Sequence, residues 1–172
     1  MDDLAARIAH AVTEGRQARS AYYASIDLPD EQVLGPPADE AQLQALEKQL
    51  DRTLPPSYRQ FLAQHDGWRM VNGAMDLLSV AELMGGARHA RIDKWQKQML
   101  ASGDTVAANA LVIGASDITP TRLLLDPDTL TEGGEWLLIR YHKGPEDQYP
   151  SFLDWLEESA RGFRELLATG VR

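Results

Sequence analysis

The sequence predicts an α+β domain, and three observations carry that expectation. Apolar residues recur at helical spacing through most of residues 4–102, give way to short apolar runs separated by turns between 111 and 141, and return to helical spacing from 152 onwards. Helices, then an antiparallel meander, then a C-terminal helix that covers the sheet is the architecture this order implies.

The first helix is expected over residues 4–23, where Leu4, Ile8 and Val12 and, less regularly, Ala18 and Tyr22 share a face, with Asp2 and Asp3 at its start to cap it and complement its dipole. Residues 26–38 hold Pro29, Pro36, Pro37 and Gly35 beside Asp27, Asp30 and Glu31, a composition that sustains neither a helix nor a central strand, so they read as a connector. Asp39 can cap a second helix carrying Leu43, Leu46 and Leu50, which closes at Leu54-Pro55-Pro56. A third starts at Pro56 or Ser57, turns Tyr58, Phe61 and Leu62 to one side, and stops at His65-Asp66-Gly67. Residues 75–78 suit a short strand, and Ser79-Val80-Ala81-Glu82 has the spacing of a capping box that opens a helix ending at Gly85-Gly86. In 88–102, Ile92, Trp95 and Met99 form an apolar stripe opposite a basic face of Arg88, Arg91, Lys94 and Lys97. The runs 111–113, 123–125 and 136–141 make the meander, and Ser151 caps a last helix with Phe152, Trp155, Leu156, Phe163, Leu166 and Leu167 on its apolar side.

Composition narrows the function. The 172 residues include no cysteine, which excludes disulfides, Cys-ligated zinc, iron–sulfur clusters and thiol catalysis. Seventeen Lys and Arg against 26 Asp and Glu leave a net charge of −9, a field that repels phosphate backbones and argues against direct nucleic-acid binding. No apolar run is long enough to span a bilayer and the start Met1-Asp2-Asp3-Leu4 is acidic, so a cytoplasmic location without membrane attachment is expected. Residues 1–37 read as helix and Pro-rich connector and 38–172 as the α+β domain, the whole forming one compact unit without internal repeats.

Catalytic signatures are missing: there is no phosphate-binding Gly-rich loop, no Gly-x-Ser-x-Gly and no His-Glu-x-x-His. His10, His65, His89 and His142 lack ligand-like spacing. Asp126-Pro127-Asp128 could offer two carboxylates to Mg²⁺ or Ca²⁺, but a strand-ending turn accounts for it more simply. Asp117 and Glu135 could be drawn as an acid/base pair, although nothing in the sequence brings them together. No catalytic, metal or cofactor site is therefore assigned, and the expectation is a protein that is not an enzyme. Trp95, Trp136 and Trp155 lie on apolar stripes and read as core; Trp68 falls in a loop, open between core and partner anchor.

The segments Leu43-x-x-Leu46-Glu47-x-x-Leu50, then Leu54-Pro55-Pro56-Ser57-Tyr58-Arg59-Gln60-Phe61-Leu62, then Asp66-Gly67-Trp68, resemble the N-terminal signature of the SUKH superfamily, which includes the Smi/Knr-type domains. Later matches follow in order: the segment 77–83, Ile113-Gly114, Leu124-Leu125-Asp126 and Ser151-Phe152-x-x-Trp155-Leu156. The resemblance spans roughly residues 38–167 and implies a mixed or antiparallel sheet flanked by helices, to which this chain adds an N-terminal helix and the helix at 88–102. It also implies a non-catalytic role, often as the immunity protein of a bacterial polymorphic toxin system.

Two functions are thus expected. The first is a cytoplasmic immunity protein that occludes the active site of a cognate toxin, with the acidic balance favouring a basic toxin such as a nuclease. The second is a regulatory or scaffolding interaction module. Residues 106–172 hold eleven acidic and six basic side chains, much of the acid in turns. Partner-facing candidates are Asp126, Asp128, Glu132 and Glu135 around one strand connection, Glu146 and Asp147 in the next loop, and Trp68 as an aromatic anchor; a solvated acidic rim is the competing reading.

Overall fold

A computed structural model describes residues 3–170. Helix α1 (Asp3–Ser25) leads through the connector, which contains a two-residue strand β1 (Val33–Leu34), to α2 (Glu40–Leu50) and α3 (Pro56–Gln64). Then come β2 (Trp68–Asn72), β3 (Met75–Leu77), α4 (Val80–Met84), α5 (Gly86–Ser102) and α6 (Thr105–Asn109). The chain ends in β4 (Leu111–Ser116), β5 (Thr121–Leu130), a 3-10 turn (Glu132–Gly134), β6 (Trp136–His142), β7 (Pro145–Tyr149) and α7 (Phe152–Thr169). Among the described residues, no helix is long and apolar enough to cross a membrane.

The fold is α+β, and the sheet is a seven-stranded antiparallel meander in chain order from β1 to β7. Alternation along the strands gives it two apolar faces. One carries Ile113, Ala115, Leu123, Leu125 and Leu138 against the main core, where Leu43, Leu46, Leu54, Tyr58, Phe61, Phe152 and Trp155 converge from α2, the α2–α3 link, α3 and α7, as their spacing predicts. The other carries Val112, Leu124, Ile139 and Tyr141 beneath Ala107 of α6 and the half-buried Ile92, Trp95 and Met99 of α5. Trp136 and Trp155 are core residues, whereas Trp95 stays partly exposed with Arg122 stacked 4.1 Å from its ring.

The expected caps form. Asp39 accepts from the Gln42 N–H at 2.8 Å, Ser79 from Glu82, and Ser151 from the Asp154 N–H at 3.1 Å. Asp2 lies outside the described residues. Between α3 and β2, Gly67 takes a φ of +89°, and a Cβ there would lie 2.9 Å from the Leu77 carbonyl oxygen, so both backbone conformation and space demand glycine.

Several expectations need correcting. Trp68 opens a strand and is fully buried, because the connector and α1 close over it. Asp126-Pro127-Asp128 does not end a strand; it is a bulge inside β5, where the register jumps from Asp126 opposite Leu137 to Leu130 opposite Trp136. Glu146 and Asp147 belong to the edge strand β7 and not to a loop. Leu166 and Leu167 are 38% and 39% exposed, since the last turns of α7 run beyond the core. The basic face of α5 is not simply solvated. Arg88 is mostly buried and bridges Asp76 at 2.9 Å and Asp117 at 2.9 Å, while Arg91 also reaches Asp117.

The Tyr58 hydroxyl has no hydrogen-bond partner among the described residues, and burial together with nearby Asp66 holds its proton well above the usual phenol range. Removing an unpartnered buried hydroxyl relieves a desolvation cost of about 1 kcal/mol. Tyr58→Phe is therefore expected to raise the melting temperature in a thermal scan; a lower one would show that the hydroxyl is satisfied.

Candidate functional site

The acidic residues of the β5–β6 end are largely committed inside the molecule. Asp126 is buried, and its carboxylate accepts from the Asp128 N–H at 3.0 Å and the Thr129 hydroxyl at 2.7 Å, which holds the bulge closed. Asp128 pairs with Arg52 at 2.9 Å, whose other amino group donates to the Pro127 carbonyl at 3.0 Å, pinning the bulge to the end of α2. Glu132 is exposed on the 3-10 turn.

Glu135 does a local job that the sequence reading missed. Helix α3 begins Pro55-Pro56, and Pro55 offers no side-chain cap. Half-buried Glu135 supplies one from across the fold, accepting from the Ser57 N–H and the Ser57 hydroxyl, both at 2.8 Å. Asp117 is tied to Arg88 and Arg91 instead, so the two carboxylates do not form an acid/base pair. Among the described residues no three His, Asp or Glu side chains converge as a bound metal requires.

Trp68 is equally committed. Its indole N–H donates to the Gln32 side-chain oxygen at 3.2 Å, and the buried Arg19 guanidinium stacks 4.8 Å from its ring. In this fold it anchors the chain's own N-terminal segment, and none of its surface is offered to a partner.

Glu146 and Asp147 are different: they stand exposed on β7. Arg140 on β6 reaches both, Glu146 at 3.2 Å and Asp147 at 2.5 Å, and these charge partners hold the guanidinium above its ordinary value against the opposing effect of burial. Beside them an open groove of about 690 Å³ runs under the C-terminal half of α7, from Asn72 at the end of β2 to Asp147 and Tyr149 of β7. Trp155, Phe163 and Leu166 give it an apolar lining, and Glu158 and Glu165 add carboxylates. A smaller cleft of about 270 Å³ lies between α2, α5 and the β5 bulge, lined by Gln49, His89, Gln96 and Pro127 among others. Its charged lining residues are engaged elsewhere, Arg52 with Asp128 and the Pro127 carbonyl and Glu82 with Ser79 at the start of α4.

Burial raises the Glu135 carboxyl above its ordinary value, partly opposed by the Ser57 hydrogen bonds and assisted by Asp154. A raised folded-state value means that the stabilisation belongs to the protonated form: it is complete below the unfolded carboxyl value and is lost as pH rises through the folded one. Glu135→Gln keeps the acceptor without the titration. The melting temperature of the variant relative to wild type is expected to rise between pH 4 and pH 7, and a difference that stays flat or falls would contradict the assigned cause.

No curated protein matches the chain. The sequence model of the SMI1 / KNR4 family (SUKH-1) does, over residues 37–165. That stretch runs from the end of the connector through the meander into α7 and leaves α1 outside. With its double-proline corner, its Gly67 turn and its helix-covered antiparallel sheet, the chain belongs to the SMI1 / KNR4 (SUKH-1) family.

Proposed function

We propose that this chain is a non-catalytic immunity protein that binds a basic toxin in the cytoplasm of the producing cell and neutralises it by covering its active site. The observation that carries the reading is the excess of acidic charge, −9 over the whole chain, with Asp128, Glu132, Glu146 and Asp147 exposed on the meander. Such a surface accelerates encounter with a basic partner and disfavours acidic ones. The surface ion pairs that partly neutralise it contribute little to stability and are exchanged readily for intermolecular ones. Family membership supports a binding role, and Asp126, Glu135 and Trp68, whose polar groups bond inward, are left out of the proposed partner-facing set.

The test is co-expression with the toxin candidate encoded beside this gene. The chain should rescue growth, and purified protein should abolish toxin activity at a 1:1 ratio, with an association rate that falls as salt is added. Inhibition at far below one equivalent would point to an enzyme, and tight binding without inhibition to a scaffolding module. An isolated gene with no toxin neighbour would also count against the proposal.

A further inference from the structure

We infer that the partner adds an extended, basic segment to the open edge of β7, so that it becomes an eighth strand seated along the groove beside α7; this rests on the immunity reading above. The meander has two edges. At one, β1 is two residues long and lies between Pro29 and Pro36-Pro37, too short and too proline-bound to template a strand. At the other, β7 runs for five residues, its only proline at the first position, and residues 145–148 are exposed. Alternate N–H and C=O groups of such an edge point away from β6 and can pair with an incoming strand.

The side chains around that edge select the occupant. Asp147 lies opposite Arg140 and both line the groove with Tyr149, so alternate residues of an added strand would face the same groove. The apolar lining from Trp155 and Phe163 suits an apolar side chain there. Around it stand four carboxylates, Glu146, Asp147, Glu158 and Glu165, against two guanidiniums, Arg140 and Arg161, which pair with them on the surface. The two adjacent acids of β7, Glu146 and Asp147, backed by Glu158 and Glu165 of α7, disfavour pairing with a second copy of this edge and leave a segment alternating basic and apolar residues as the complementary partner.

The experiment uses the full chain and a short synthetic peptide alternating lysine with valine, with a glutamate–valine peptide as its counterpart. The lysine peptide should shift backbone amide resonances and slow hydrogen exchange at residues 145–149, and the glutamate peptide should not. Asp147→Lys combined with Glu158→Lys should weaken the lysine peptide by about tenfold or more and admit the glutamate one. An unaffected 145–149 segment, or shifts confined to another face, would overturn the inference. Toxin rescue separates the two claims. If wild type fails to protect cells, the immunity reading falls and the peptide titration still decides the edge. If wild type and the reversed variant protect equally well, the edge inference falls and the immunity reading stands.

Discussion

Replacing Phe61 with alanine is expected to cost about 3–5 kcal/mol of stability, a large share of what a domain of this size has to lose. Phe61 is fully buried on α3, with its ring 5.0 Å from Phe152 of α7 and 6.4 Å from Tyr58, the latter stacked. Truncation removes one of the two aromatic contacts that join α3 to α7, the other being Tyr58 on Phe152 at 5.1 Å, and opens a cavity that neither helix can close, since α3 is fixed at its start by Glu135 and at its end by the Gly67 turn. Phe61→Leu retains most of the volume and should lose less. Denaturant titration reads the effect as a lower midpoint at unchanged slope. A wild-type midpoint for Phe61→Ala would remove Phe61 from the core.

That prediction could be written from the sequence because everything behind it is local or periodic. Tyr58, Phe61 and Leu62 share a helical face whatever they pack against, and Asp39, Ser79 and Ser151 cap helices through neighbours three residues on. The three apolar strands β4, β5 and β6 announce themselves in the same way. The strands that escaped are those made by their partners. In β7, Pro-Glu-Asp-Gln-Tyr has no apolar alternation to detect, because an edge strand with both faces wet owes its conformation to the hairpin with β6 and not to its composition. Helix α6, five residues long, escaped for want of length.

The candidate site was legible in its charge and illegible in its wiring. Asp126, Asp128, Glu132 and Glu135 look alike in sequence. In the fold, Asp126 closes a bulge, Asp128 reaches Arg52, and Glu135 caps a helix that starts 79 residues earlier, while Glu132 stays in solvent. What a carboxylate does depends on which donor the topology brings to it, and no period in the chain encodes that. Trp68 shows the same limit: its burial comes from Gln32 and Arg19, both in the N-terminal segment.

Arg19→Ala is expected to be about as damaging as Phe61→Ala, about 3–5 kcal/mol, and for a reason that sequence could not supply. Arg19 is fully buried with no carboxylate partner among the described residues. Its Nε donates to the Val71 carbonyl, and its Nε and Nη2 reach the Asn72 side-chain oxygen at 3.2 and 3.1 Å. Nη2 also donates to the Ser159 hydroxyl at 2.8 Å, and the guanidinium lies between the rings of Trp68 and Phe163, at 4.8 and 5.0 Å. Burial lowers its pKa from 12.5 to about 10, so it remains charged at neutral pH, held by neutral acceptors and ring faces alone. One side chain of α1, a helix outside the family match, thereby ties the end of β2 to α7. Alanine leaves the Val71 and Asn72 oxygens without their donor and vacates the space between two rings. Lysine cannot restore it, having neither the planar fork nor the stacking surface. Methionine fills part of the volume, removes the buried charge, and should lose less than alanine. The check is the denaturation midpoint of the three variants, followed by separate probes in α1 and in the meander. If Arg19→Ala unfolds at the wild-type midpoint, or if α1 melts apart from the sheet in the wild-type chain, then α1 is an appendage and the tie between β2 and α7 does not run through Arg19.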